Sequence, residues 1–217
     1  MKLRPPSSAR VRLLRSLVGD LDFTIVSNNC WGAHLYRALE LPYATPFVDL
    51  FIEPDSYLQL LQRFDEIIET DLEFVDASRS AALNAWREAA GLRYPIGVLG
   101  GVVEINFQHY ATAEDASAKW RRRLGRMVRR PGRRFFKFDD RDGATEADIM
   151  TFAKLPIRNK VCFTSQRYAA PTVLTPPEPG QSCVPNGIVL ARISPRYFNS
   201  LRWISTLPSW APLPALL

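Results

Sequence analysis

Phe23-Thr24-Ile25-Val26-Ser27-Asn28-Asn29-Cys30-Trp31-Gly32 is the stretch whose reading decides the fold. Its first four residues are apolar or β-branched on both faces, the pattern of a strand buried inside a parallel sheet. A polar turn, Ser27 to Cys30, follows, and then a helix expected over Trp31 to Leu39. A buried strand that passes through a tight turn into a helix is the opening half of a strand–helix–strand unit.

Further along, Pro42 and Pro46 interrupt the chain before a second apolar run, Phe47 to Ile52. Pro54 suits the first turn of a helix, and Tyr57, Leu58, Leu60, Leu61, Phe64, Ile67 and Ile68 then recur at helical spacing. Tyr94-Pro95-Ile96 and Val102 to Phe107 read as a hairpin turned at Gly100-Gly101. Thr112, with Asp115 three residues on, predicts a helix start, and that helix is expected to reach about Val128, before Pro131-Gly132. Phe135 to Phe138 is a short strand leading into Asp139-Asp140-Arg141-Asp142-Gly143. Thr145 and Asp148 open another helix to about Leu155, and Lys160 to Phe163 is a further strand. Beyond Pro171 the chain is proline-rich; Gly187 to Ile193 reads as a last strand and Tyr197 to Ile204 as a short helix. The prediction is an α/β protein, a three-layer α/β/α arrangement with a Rossmann-like mixed sheet, mostly parallel, carrying an antiparallel hairpin over 94–107. It reads as one domain over 1–217, with a motif-bearing core at about 22–168 and an irregular extension over 172–217.

At 217 residues, 47% hydrophobic and 23% charged, the chain has ordinary globular composition and enough length for a full core. No apolar run reaches the roughly 18 residues that span a bilayer. The basic start lacks the continuous apolar core of a secretory signal and reads instead as a surface amphipathic helix from about Ala9 to Leu17, with weak peripheral membrane contact as the alternative. Cys30, Cys162 and Cys183 are unpaired in spacing, which suits free thiols in a reducing, cytoplasmic setting and argues against structural zinc. The net charge of +6 is local. Nine basic residues and no acidic one lie between Lys119 and Arg134, so the rest of the chain is net acidic. A single patch suits a phosphate-bearing small molecule better than nucleic acid, and no aromatic interleaving suggests single-strand recognition.

In open α/β sheets, ligands bind beyond the carboxyl ends of the strands. Ser27 to Cys30, His109-Tyr110, Asp139 to Asp142 and Thr164-Ser165 all fall at such ends. A cysteine at a helix N-terminus tends to be acidified towards the thiolate, and a histidine just after a strand is placed to act as a base. Asp140-Arg141-Asp142 has the form that holds a divalent metal on a nucleotide-sugar diphosphate. The candidate catalytic set is therefore Cys30, His109, Asp140 and Asp142. The candidate substrate- and anion-binding set is Ser27, Asn28, Asn29, His34, Tyr110, Trp120, Arg122, Arg123 and Arg141. Asp140 and Asp142 would be metal ligands only in a metal-dependent glycosyl transfer. On a helix with Trp120 packed inward, Arg123 should lie at the buried edge, facing the site and paired with Asp139, Asp140 or Asp142, while Arg122 points to solvent.

The same segments resemble a bacterial family, domain of unknown function 1919, whose members are often labelled exopolysaccharide biosynthesis proteins. The resemblance rests on Phe23 to Gly32, Leu41-Pro42-Tyr43, Thr45-Pro46, Tyr94 to Gly97, His109-Tyr110, Lys119-Trp120, Arg122-Arg123, Phe138 to Gly143 and Asn159 to Thr164. Ala33 and Gln108 depart from the expected pattern. What the resemblance implies is a transferase in exopolysaccharide or capsule biosynthesis, at the cytoplasmic face of the membrane. The favoured expectation is acyl transfer from an acetyl-CoA-like donor to a sugar hydroxyl of a glycan acceptor. In that version His109 is the base, Asp140 or Asp142 orients it, the Ser27–Cys30 loop forms an oxyanion hole, and the arginine run holds the donor's phosphates. The alternatives are glycosyl transfer from a nucleotide sugar with Mg²⁺ or Mn²⁺, and a non-catalytic module that binds anionic glycan or a partner.

Overall fold

The computed structural model describes residues 8–209; the outermost parts of the basic start and of the C-terminal extension, 1–7 and 210–217, lie outside them. In chain order the elements are α1 (Ala9–Val18), β1 (Thr24–Ser27), α2 (Ala33–Ala38), α3 (Pro54–Gln62), α4 (Phe64–Ile67), β2 (Leu72–Val75), α5 (Ala81–Ala89), β3 (Ile96–Leu99), β4 (Val103–Asn106), α6 (Ala113–Leu124), β5 (Arg134–Asp139), α7 (Glu146–Lys154), β6 (Lys160–Thr164), β7 (Val173–Leu174), α8 (Gly187–Ile193) and α9 (Ser200–Ile204).

The architecture is α/β. Strands β1, β5, β6 and β7 form a wholly parallel sheet in the order β1-β5-β6-β7. Alternation along β5 explains the three layers. Phe136 and Phe138 join Val26 and Cys162 on one face, under α3, α4 and α7, while Phe135 joins Ile25 and Phe163 on the other, under α1, α2, α8 and α9. The hairpin turns at Gly100 and Gly101, φ +56° and +70°, the left-handed conformation that only glycine adopts without strain. It does not extend the parallel sheet, however. β3 pairs with β2 and β4 in a separate antiparallel sheet, because Leu72–Val75 supplies the partner edge.

Local signals govern the helix starts. Thr112 Oγ1 accepts from Asp115 N at 3.2 Å, and Thr145 with Asp148 closes a reciprocal capping box. Phe47 to Ile52 is irregular, since Asp49 takes φ +62° and only Phe51 pairs, with Asn106. Gly187 to Ile193 is a helix rather than a strand, because Asn186 Oδ1 accepts from both Ile188 N and Val189 N. Helix α6 stops at Leu124, short of Val128, and Met127 turns back into the core.

Candidate functional site

The carboxyl ends of β1 and β5 meet in a fully buried polar knot. Lys137 and Asp139, two apart on one face of β5, form an ion pair with neither side chain exposed. Asn28 Nδ2 and Asn29 Nδ2 donate to the two oxygens of Asp139 at 2.9 and 2.8 Å. Lys137 Nζ in turn donates to Asn28 Oδ1 and Asn29 Oδ1 at 3.1 and 3.0 Å. Burial works to raise the Asp139 carboxyl, but Lys137 and the two amides outweigh it and hold the group below the ordinary carboxylate range. Asn29 Oδ1 also accepts from Trp31 N, which fixes the turn into α2.

Above this knot opens a cleft of about 510 Å³. Asn29 and Cys30 border it from β1, Arg141 and Asp142 from β5, Gln108 and His109 from beyond β4, and Leu83 and Trp86 from α5. Phe51, Glu53 and the start of α8 close it. Asp142 takes φ +58°, a left-handed conformation uncommon for a residue with a side chain. Burial and the charge of Asp139 push its carboxyl up to about 6, against the pull of Arg141, whose Nε lies 3.6 Å away. Burial and Glu104 likewise raise Glu53. The cleft thus gathers an imidazole, two carboxyls raised above their ordinary range, a thiol and a guanidinium, a set suited to proton transfer.

The family model described as Domain of unknown function (DUF1919) matches residues 7–177. The chain belongs to that family. It is also 36% identical over 159 residues to a protein of Haemophilus influenzae (strain ATCC 51907 / DSM 11121 / KW20 / Rd) described as uncharacterized, covering 73% of this chain and 69% of the relative.

Within this DUF1919 domain the expected site residues separate into three groups. Asn29, Cys30, His109, Arg141 and Asp142 share the cleft. Ser27 and Asn28 are buried beneath it, bound within the turn and the ionic knot. The rest point elsewhere. Asp140 is a structural group, accepting from Ser165 N, Ser165 Oγ and Val184 N at 2.6, 2.7 and 2.8 Å. Its carboxyl therefore does not converge with that of Asp142, which removes the geometry of a two-carboxylate metal grip. Among the described residues no group of three or more His, Cys, Asp or Glu side chains is set to hold a metal. Trp120 is core, packed edge-on against Phe47 and Phe107. His34 borders no part of this cleft, and burial followed by Arg37 holds its imidazole below the usual value.

The thiol and the oxyanion hole also need correction. Asn29 is followed by a three-residue 3-10 turn that leads into the six-residue α2, yet burial together with Asp49 raises the Cys30 thiol rather than acidifying it. Asn29 N and Trp31 N are already bonded within the turn, and Gly187 packs so closely that a Cβ there would lie 3.0 Å from Cys30 N. Two of the loop's N–H groups are therefore already used, and the third lies close against Gly187.

Arg123 is buried, as helical geometry demanded, and Arg122 is exposed. Its partners differ from those expected: Tyr110 Oη, Val48 O and, at 3.8 Å, Asp49. Tyr110 is correspondingly a buried link, donating to Val48 O at 2.7 Å. Much of the basic run is matched by distant segments, Arg129 by Glu69, Arg130 by Asp20 and Arg134 by Asp65, and none of it borders the cleft. Sequence reasoning missed Glu53, Lys137 and Trp86. Glu53 precedes Pro54 and reads as a helix boundary, Lys137 sits inside an apolar strand, and Trp86 lies in a helix that no motif flagged.

Proposed function

We propose that the cleft of this protein transfers an acyl group, of acetyl type, from a thioester donor to a sugar hydroxyl during assembly of bacterial exopolysaccharide or capsule. The observation that carries the reading is the placement of His109 and Asp142 on one cleft beyond the strand ends, with an apolar wall at Trp86. His109 takes the proton of the acceptor hydroxyl as its oxygen attacks the thioester carbonyl; the C–S bond breaks, and the thiolate leaves with the proton that His109 returns. Asp142 supplies a negative charge that favours the imidazolium formed in between. Arg141, the one Lys or Arg among the described lining residues, is the group available to a developing oxyanion or a donor phosphate.

Metal-dependent glycosyl transfer is the weaker reading, because Asp140 is turned into the fold. Among the described residues no helix is long and apolar enough to cross a membrane; work at the inner membrane face belongs to this proposal. Thermal-shift measurements with acetyl-CoA, and with nucleotide sugars with and without Mn²⁺, test it. Stabilisation by acetyl-CoA is expected; stabilisation confined to a nucleotide sugar with Mn²⁺ would reverse the preference.

A further inference from the structure

Glu53 and Asp142 border two cavities at once. One is the cleft already described; the other, about 450 Å³, leads away between Ser56 and Gln59 of α3, Arg79, Glu104 of β4 and Asp148 of α7. The two cavities share this waist and form one groove. Arg79 answers Glu104 at 3.8 Å, and Asp142 has Arg141, but Glu53 has a hydrogen bond to Ser80 and no ion pair among the described residues. The waist therefore carries unbalanced negative charge beside the half-exposed indole of Trp86.

A second observation lies beneath it. Asn106 is wholly buried, and neither Oδ1 nor Nδ2 has a partner. Its backbone exchanges two 2.9 Å hydrogen bonds with Phe51, and residues opposed in this way project their side chains to the same side. Alternation places Asn106 on the same face of β4 as Glu104. Phe51 lines the cleft and Glu104 the second cavity, so the orphaned amide projects toward the groove from beneath its lining. An unpartnered buried amide calls for an explanation, and a ligand is one.

We propose that this waist is a subsite for the protonated amine of an amino sugar in the glycan acceptor, an inference that rests on the groove being a sugar site. An ammonium group presents three N–H donors and no acceptor. Glu53 and Asp142 are acceptors from two segments at the waist, the Asn106 amide projects toward it from a third, and Trp86 offers a π face to the cation or to the apolar side of a sugar ring. A hard metal ion would need six or more oxygen ligands and fits poorly against Trp86 and Ile188. Acidic sugars would be repelled.

Calorimetric titration at about pH 7 with a glucosamine tetrasaccharide, its fully N-acetylated counterpart and a linear diamine tests this. The glucosamine oligomer should bind about tenfold tighter than the N-acetylated one, and Glu53→Gln or Asp142→Asn should erase most of that advantage. Asn106→Leu should raise the melting temperature while weakening the amino-sugar oligomer; a purely structural Asn106 would leave binding unchanged and overturn its part. Equal affinity for the two oligomers overturns the amine subsite and leaves the sugar reading intact. Binding of the diamine alone, lost in Glu53→Gln, overturns the proposal by removing the sugar reading and leaves a cation site. Binding of none of the three overturns both.

Discussion

Lys137 and Asp139 form an ion pair from which water is wholly excluded, and the carboxamide of Asn29 joins that pair to the wall of the cleft. A buried pair is costly to create and far more costly to break, because removing one partner strands the other charge. Lys137→Met should therefore destabilise the protein by about 4 kcal/mol in denaturant unfolding. Adding Asp139→Asn should recover a substantial part of that loss. An additive double variant would mean that the two charges do not depend on each other.

Asp142 gives the protein a pH dependence of known sign. Its carboxyl is raised to about 6 from 3.8 in the unfolded chain, chiefly by burial and then by Asp139. The folded state thus binds more proton between those values, and stability falls as pH rises through that window. Asp142→Asn should raise stability at pH 7 by about 1 kcal/mol, the open cleft screening the rest, and should change little below about pH 4. Melting curves of the two proteins across this range check it; a stabilisation that persists unchanged in acid would contradict the assignment.

Gly187 is where α8 touches the turn that carries Asn29 and Cys30. A Cβ there would lie 2.7 Å from Asn29 Oδ1, 2.9 Å from Trp31 N and 3.0 Å from Cys30 N, two of them backbone atoms. Gly187→Ala should cost about 1–3 kcal/mol and shift α8 outward. Amide chemical shifts of residues 29–31 should move with it.

Arg123 and Arg129 are close in sequence and unlike in surroundings. Arg123→Ala removes the donor to Tyr110 Oη and Val48 O and leaves a hole between α6 and the Val48 carbonyl, and should cost about 2 kcal/mol or more. Arg129→Ala removes an exposed pair with Glu69 and should cost under about 1 kcal/mol. Equal losses in thermal unfolding would show that burial does not separate the two.

The part of the fold that depends on neighbouring residues was legible in the sequence. Thr112, Thr145 and Pro54 act within one helical turn, and the Gly100-Gly101 turn acts within its hairpin. What was not legible depends on distance along the chain. The partners of the arginine run, Asp20, Asp49, Asp65 and Glu69, lie some 60 to 110 residues away, so a sequence window shows only an unmatched stretch of positive charge. The apolar run after Gly187 hides a helix whose only local sign is the Asn186 cap. Asp140 and Asp142 look equivalent on paper, and the left-handed backbone at Asp142 helps to send the two carboxylates to different places. Of the candidate site, the β1 turn, His109 and Asp142 were visible as strand-end polar residues, whereas Glu53 and Lys137 became visible only through what they face.

The bound acyl content of the surface polysaccharide, read by NMR in a gene-deletion strain complemented with different variants, tests the central claim most directly. Wild-type protein and Arg129→Ala should restore the acyl groups, and His109→Ala should not, with the sugar ratio of the polymer the same throughout. Full restoration by His109→Ala, or loss of a sugar residue with acyl groups retained on deletion, would contradict the account.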